Sequence, residues 1–173
     1  MLIQKQLATV IAYGSSDAHM YRMCLEACNY QVKVIWIGSI EELKQTFNDS
    51  SVTDDMIVID AHGDEEKGFV AEGDEMFSFA DIASAKGLQG KTILSTACYS
   101  GTTEFAKSFK SASVKSYVAP VDGVTGPVSI MFITSLFYSL NKTAFYPELE
   151  KMTWEESVAE AVKLSSDEWS VTT

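Results

Sequence analysis

The sequence predicts an α/β fold, a sandwich in which a mainly parallel central sheet is flanked by helices. Short apolar runs rich in β-branched residues end at turn residues, which is typical of buried parallel strands. Segments with helical spacing separate these runs, and a strand–helix–strand order implies right-handed crossovers. With 173 residues the chain is long enough for one core, so residues 1–173 are predicted to form a single domain.

Local patterns place the individual elements. Two segments, Ser39-Ile40-Glu41-Glu42 and Thr153-Trp154-Glu155-Glu156, have the spacing of a capping box, and Ser15-Ser16-Asp17 supplies another N-cap. Asn48–Asp55 and Asn141–Lys151 are predicted to be a polar loop and an irregular connector. The predicted elements are a strand over Leu7–Tyr13, a helix to Asn29, a strand over Val32–Ile37, a helix to Phe47, a strand from Met56 into His62, a short helix within Phe77–Lys86, a strand from Lys91 into Cys98, a helix over Thr102–Lys110, a strand over Tyr117–Ala119, a helix over Val128–Leu140 and a last helix after Thr153.

Charge and composition narrow the classes of partner. The formal charge of −11 argues against nucleic acid or an anionic membrane as a partner and favours basic peptides or proteins. No uncharged apolar run approaches the ~18 residues of a membrane span. The first residues lack the pattern of a signal peptide, so a cytoplasmic location is expected.

The three cysteines do not form a disulfide scaffold in a chain of this size. Cys24 and Cys28 stand four positions apart in a helical pattern and are predicted to be buried thiols. A pair with this spacing could contribute to a metal site, but the chain has only two histidines to complete one. We therefore predict neither a metal nor a cofactor.

Two strands end in chemically capable side chains. One runs from Met56 into Ala61-His62-Gly63, and the other runs from Lys91 into Ala97-Cys98-Tyr99-Ser100-Gly101. Reactive groups gather at the carboxyl ends of parallel strands, and a thiol beside a base is the minimum for thiolate catalysis. The alternative is a buried strand-end thiol and an unrelated turn histidine. The 36 positions that separate His62 from Cys98 leave room for one crossover, which favours the catalytic pair.

Other catalytic patterns fit less well. Asp60-x-His62-x-Asp64 could place three metal ligands on one face only if the strand continued past Gly63. An α/β-hydrolase elbow needs glycine two positions before and after its nucleophile, and Cys98 has Thr96 and Ser100 there. Phosphate-binding and dinucleotide-binding glycine motifs are absent from the sequence.

The two strand-end motifs resemble those of clan CD cysteine peptidases, which include caspases, gingipains, clostripain, legumain, separase and the CHAT group. The resemblance covers Met56 to Leu164, and a strand, turn and long apolar helix over Tyr117–Leu140 look CHAT-like. It implies a caspase-like fold, with His62 as general base and Cys98 as nucleophile. It also implies an oxyanion site formed by the backbone amides of Gly63 and Cys98.

The resemblance also suggests a substrate. Caspases use arginine to accept aspartate, but the turns beside His62 and Cys98 contain only Lys67 as a basic residue. Separase, clostripain and some CHAT relatives instead use a carboxylate to accept arginine or lysine, and Asp122 occupies a matching place. The alternative for Asp122 is a turn aspartate that caps its own backbone. The acidic charge favours a basic substrate, so cleavage of a protein or peptide after Arg or Lys is predicted.

Further acidic residues surround the predicted base. Asp60 either orients His62 or simply ends its strand, while Asp64 opens an acidic segment that is either a solvated loop or a wall of the substrate cleft. Together with Asp122, both are candidate substrate-binding residues. A helix that starts after Cys98 is expected to lower the pKa of its thiol. A second possible function is a regulatory or scaffolding module that binds a basic protein. The peptidase itself is expected to need a regulatory partner or processing for full activity.

Overall fold

Strands and helices alternate along most of the chain. The structure is a computed structural model that describes residues 5–71, 76–165 and 169–172. Its elements are β1 (Gln6–Tyr13), α1 (Ala18–Ala27), β2 (Tyr30–Ile37), α2 (Ile40–Asn48), β3 (Met56–Asp64), β4 (Gly68–Val70), β5 (Met76–Phe77), α3 (Phe79–Ala83), β6 (Thr92–Ser95), α4 (Thr103–Ser111), β7 (Ser116–Pro120), α5 (Gly126–Phe145), α6 (Trp154–Ser165) and β8 (Trp169–Thr172).

The central sheet has the strand order β2-β1-β3-β6-β7-β8. The first four pairings are parallel and only β8 runs antiparallel to its neighbour, so the predicted fold class is confirmed. The chain leaves β1 toward β2 on one side and then crosses to β3 on the other. The order therefore reverses between β1 and β3, and ligands of open α/β sheets bind at the carboxyl ends of such a pair.

Helices cover both faces of the sheet because its strands alternate their apolar side chains. Ile57 and Ile59 of β3 face the core formed with α2, α3 and α4, where Phe105 and Phe109 are fully buried. Val58 faces the opposite core, formed with α1, α5 and α6. A strand buried on both faces needs a continuous apolar run, and this is the pattern from which the strands were predicted.

Several segments differ from the prediction, and one of them is β6, which ends at Ser95 instead of running into Cys98. β3 continues past Gly63 to Asp64 and forms an antiparallel hairpin with β4, so the predicted loop after His62 is partly strand. The hairpin forms because Phe69 of β4 is fully buried against Phe105. The predicted acidic segment extends over residues 72–75, which lie outside the described residues.

Helix α5 is longer than predicted and includes the first part of the expected connector. Asn141 lies within it, is 4% exposed, and accepts a hydrogen bond of 2.6 Å from the side chain of Gln6. The local sequence pattern does not predict this contact, because Gln6 and Asn141 are far apart in the chain. Although α5 is apolar, none of the helices in the described ranges has the length and apolarity needed to cross a membrane.

Candidate active site

The register of the sheet brings His62 and Cys98 together. Met56 pairs with Thr92 and Ile59 pairs with Ser95, an offset of 36 positions. The backbone amide of Thr96 then donates a 2.9 Å hydrogen bond to the carbonyl of Ile59, which extends the pairing by one step. β6 ends at Ser95, so Cys98 lies in the turn that follows it, and His62 lies near the end of the neighbouring strand β3. Both residues are therefore at the same edge of the sheet, which we call the carboxyl edge.

The His-Gly and Ala-Cys motifs also pack directly on each other. A Cβ atom added at Gly63 would lie 2.0 Å from the carbonyl oxygen of Cys98 and 3.1 Å from the Cβ of Ala97. No side chain fits there, so the backbone after His62 can approach the backbone of Cys98 only because residue 63 is glycine. This contact gives the His-Gly pair in the sequence a physical reason.

A buried hydrogen-bond network fixes the turn that carries Cys98. The hydroxyl of Ser100 lies 2.6 Å from the carbonyl of Ala97 and 2.8 Å from the hydroxyl of Ser95. Tyr117, which is fully buried in β7, donates a 2.6 Å hydrogen bond to the carbonyl of Ser100. Satisfied buried networks of this kind hold a single geometry. The serines around Cys98 therefore serve to position its backbone.

The turn contains a strained residue immediately after the predicted nucleophile. Tyr99 has φ 59°, a left-handed conformation that is uncommon for an aromatic residue. Its amide donates a 3.1 Å hydrogen bond to the carbonyl of Asp122, which holds this conformation. Strain of this kind concentrates at functional sites, where the surrounding structure maintains it.

The sulfur of Cys98 faces the start of α5. The backbone amide of Val124 lies 3.4 Å from Sγ, in position to donate to it, and the carbonyl of Val124 lies 3.6 Å from Sγ, in position to accept from the thiol. The thiol is partly exposed. An N–H directed at a sulfur stabilises a thiolate, and the positive end of a helix adds to this effect. The sequence suggested that the helix after Cys98 would do this, but α4 begins only at Thr103. The structure places the start of α5 against the sulfur instead.

One amide of the predicted oxyanion site is free. Among the described residues none accepts a hydrogen bond from the amide of Cys98, although the amides on either side of it, at Ala97 and Tyr99, are both bonded. A buried or half-buried amide without a partner is rare in folded proteins. It is available to a developing oxyanion. Gly63, the other predicted donor, lies in the β3–β4 hairpin beside it.

His62 is exposed and lines a cleft of about 630 Å³. The cleft lies between the ends of β1 and β3, at the point where the strand order reverses. Its walls are the β1–α1 loop (Gly14–Asp17), the end of β2 and Ala71; Cys98 does not line it. Trp36 forms an exposed part of this wall and packs against the ring of His19 with 5.0 Å between centroids.

Asp60 lies beneath His62 and is only 2% exposed. Alternation along β3 places both side chains on the same face of the sheet. Burial raises the pKa of the Asp60 carboxyl, while the Ser15 side chain and the Ala18 amide oppose this effect and the nearby Asp17 reinforces it. The expectation that Asp60 ends its strand is wrong, because β3 continues to Asp64. A carboxylate at this depth does not reach the cleft surface, so Asp60 is not placed to bind a substrate.

Asp17 is a cleft residue that the sequence interpretation assigned only to helix capping. It occupies the N-cap position of α1, but its side chain makes no capping hydrogen bond. The carboxylate instead turns toward the start of α5, where a Cβ added at Gly126 would lie 2.8 Å from its Oδ2. The sequence held no signal for this, because the contact depends on where α5 starts in space.

The other predicted acidic residues lie at the periphery. Asp122 is exposed, and its backbone contributes the contact to Tyr99 described above. The Asp64 carboxylate accepts hydrogen bonds from the amides of Glu66 and Lys67 and so closes the β3–β4 turn. Within the ranges that the structure describes, no group of three or more histidine, cysteine, aspartate or glutamate side chains is arranged to hold a metal.

Comparisons with known proteins support the fold. No family model matches the sequence, and no curated protein matches it either. Among solved structures, the fold is similar to the crystal structure of gingipain R, an Arg-specific cysteine proteinase, with a TM-score of 0.67 and 13% sequence identity. The chain has a caspase-like fold. The match covers 96% of this chain but 45% of gingipain R, so the chain spans less than half of that structure.

Proposed function

We propose that this protein is a cysteine endopeptidase in which Cys98 is the nucleophile and His62 the general base. One observation carries the proposal: Gly63 packs on the backbone of Cys98, which supports a pairing between that cysteine and the neighbouring His62. The fold is shared with a cysteine proteinase, and gingipains belong to the family that the two motifs resemble. Within that family we propose the CHAT group as the nearest relatives.

The proposed reaction is acyl transfer in two steps. His62 takes the proton of the Cys98 thiol, and the sulfur forms a bond to the carbonyl carbon of the substrate. The free amide of Cys98, together with that of Gly63, stabilises the oxyanion. His62 then gives its proton to the departing amine as the peptide bond breaks. Water, activated by the same imidazole, hydrolyses the thioester and restores the thiol.

A basic residue before the cleaved bond fits the acidic groups of the site. Asp17 lines the cleft beside His62, and Asp122 lies on the loop that precedes the amide facing the sulfur. A half-buried carboxylate binds a guanidinium more strongly than an exposed one because water screens it less. Asp17 is therefore the first candidate for the residue that accepts arginine, and Asp122 is the second. Gingipain R, which shares the fold, is Arg-specific.

A binding module for a basic protein is the second proposed function. It is favoured by the observation that the cleft at His62 does not include Cys98, so a ligand could occupy the cleft without meeting the thiol. The net charge of −11 would attract a basic partner in either case.

An electrophilic arginyl peptide separates the two functions. It needs only one attack by the thiolate, so it detects the site even if full turnover requires a regulatory partner or processing. We expect mass spectrometry to find the adduct on Cys98, faster than with a lysyl analogue and much faster than with an aspartyl one. Cys98→Ser should abolish it and the matched control Cys24→Ser should not. Absence of any adduct would favour the binding module.

A pair of matched variants identifies the specificity residue. Asp17→Asn is expected to lower kcat/KM on an arginyl substrate by ~30-fold or more, because losing one member of a desolvated charge pair costs ~2–5 kcal/mol. Asp122→Asn should cost less than tenfold. Iodoacetamide must still modify Cys98 in both variants. The reverse ranking would reassign the role to Asp122, and aspartyl preference would overturn the predicted basic specificity.

A further inference from the structure

Asp60 is an unusual residue for the middle of a sheet. It sits on β3, with β1 and β6 paired on either side, and its Oδ2 atom is buried without a hydrogen-bond partner among the described residues. No lysine or arginine in the described part of the chain forms an ion pair with it. Buried carboxylates are costly and are normally paired, so a role other than packing is indicated.

The groups around Asp60 belong to several parts of the site. On one side are the Ser15 side chain and the Ala18 amide, at the start of α1. Asp17 and the ring of His62 also lie near the carboxyl group. The Tyr21 hydroxyl lies near both Asp60 and Thr96, two positions before Cys98. Asp60 thus lies beneath both the β1–α1 loop and the predicted base.

We propose that Asp60 is a positioning residue with two tasks, which rest on the proposed peptidase function. Its negative charge stabilises the imidazolium that forms when His62 takes the thiol proton. Its contacts with Ser15 and Ala18 hold the β1–α1 loop, and with it Asp17, in place at the wall of the cleft. Asp60 does not touch the substrate, because it is 2% exposed and lies under the cleft surface.

The two tasks predict different kinetic effects. Asp60→Asn keeps an oxygen that can accept from Ser15 and Ala18 but removes the charge, so kcat should fall by ~10–100-fold with little change in KM. Ser15→Ala keeps the charge and loosens the loop, so KM for an arginyl peptide should rise several-fold while kcat stays within about twofold. If Asp60 had only a structural role, Asp60→Asn would lower the free energy of unfolding, and the two variants would not separate the effects on kcat and KM.

A second measurement tests Asp60 without any peptidase activity. The rate of Cys98 alkylation by iodoacetamide at pH 6–7 follows the population of the thiolate–imidazolium pair, and it should fall several-fold in Asp60→Asn. Asp54→Asn is the matched control, because this aspartate is bonded to Thr9 at the other end of the sheet. Equal alkylation rates in the wild type and Asp60→Asn would overturn the inference. If alkylation slows as expected but the electrophilic arginyl peptide forms no adduct on Cys98, the charge coupling stands and the peptidase function fails.

Discussion

The two edges of the central sheet differ in how their charged groups are used. At the amino edge a cleft of about 790 Å³ surrounds Lys91, which is 7% exposed. Its ammonium is 2.9 Å from the carbonyl of Thr53, 3.4 Å from that of Ser50 and 3.5 Å from the carboxylate of Asp55. Every donor therefore has an oxygen to bind, and the group fastens the loop before β3 to the start of β6.

The carboxyl edge has the smaller cleft, and both edges contain a buried side-chain oxygen without a hydrogen-bond partner among the described residues, Thr53 Oγ1 at the amino edge and Asp60 Oδ2 at the carboxyl edge. The carboxyl edge differs because its unpartnered oxygen belongs to a carboxylate. Asp60 keeps a buried oxygen without a partner among the described residues, Asp17 occupies a cap position without capping, and Tyr99 is strained. Buried polar atoms without a partner and strained backbone both lower stability, and folded proteins keep them mainly at functional sites. The larger cleft therefore surrounds a lysine whose hydrogen bonds are met, while the smaller one contains the predicted base. Cleft volume alone does not identify the edge at which we propose the reaction.

The largest expected difference between the edges is in thiol reactivity. Cys28 ends α1 near the amino edge, where burial raises the pKa of its thiol to about 11, with a small further effect of Cys24. Very little of it is ionised at neutral pH, and only the thiolate reacts. Cys98 should therefore react with iodoacetamide at least ~100-fold faster than Cys28 at pH 7. Peptide mass spectrometry over time measures both rates. Faster modification of Cys24 or Cys28 than of Cys98 would contradict the assignment of Cys98 as the reactive thiol.

Removing the amino-edge charge should affect stability and leave catalysis intact. Lys91→Met keeps most of the side-chain volume but leaves two carbonyls without their donor, so unfolding in urea should become easier by ~1–3 kcal/mol. Lys107→Met is the matched control, because Lys107 pairs with Glu104 on an exposed helix surface and should change stability by under ~0.5 kcal/mol. A loss of kcat/KM in folded Lys91→Met would show that the amino edge also takes part in the reaction.

The smallest expected effect is the pH dependence of stability at two aspartates. At Asp60 burial raises the pKa, so the folded state holds this proton more tightly than the unfolded state. Ionised Asp60 therefore lowers stability as the pH rises above the unfolded pKa of ~3.9, and Asp60→Asn should gain stability relative to the wild type between pH 4 and pH 7.

Asp81 provides the matched opposite case. Burial raises the pKa of its carboxyl, but contacts with Ser78 and Lys44 outweigh this effect and lower it overall. Its contribution to stability is present above pH ~3.9 and is lost as the pH falls through the folded pKa, so Asp81→Asn should lose under ~1 kcal/mol at pH 7. Urea unfolding at pH 4 and pH 7 measures how each variant differs from the wild type in free energy of unfolding. Changes of the same sign at pH 7 would contradict the assignment of Asp60 as a group retained at the expense of stability.

Much of the fold could be predicted because its signals are local. Apolar runs that end at turn residues predicted the five parallel strands, and the spacing of Thr153 and Glu156 predicted a capping box that the structure contains with both hydrogen bonds. The sequence also predicts that His62 and Cys98 lie near one edge of the sheet, since the carboxyl ends of parallel strands share that edge. The predicted strand ends were wrong in detail, because β3 continues to Asp64 and β6 ends at Ser95, before Cys98.

Tertiary structure alone decided the environment of these residues. Asp17 makes no capping hydrogen bond and points toward α5, and Asp60 is buried on β3. The Cys98 sulfur lies beside the amide of Val124. Each contact joins residues that are far apart in the chain, so periodicity and capping rules do not predict it. The sequence determined which groups reach the carboxyl edge. Packing of the helices and loops around that edge determined which of them face one another.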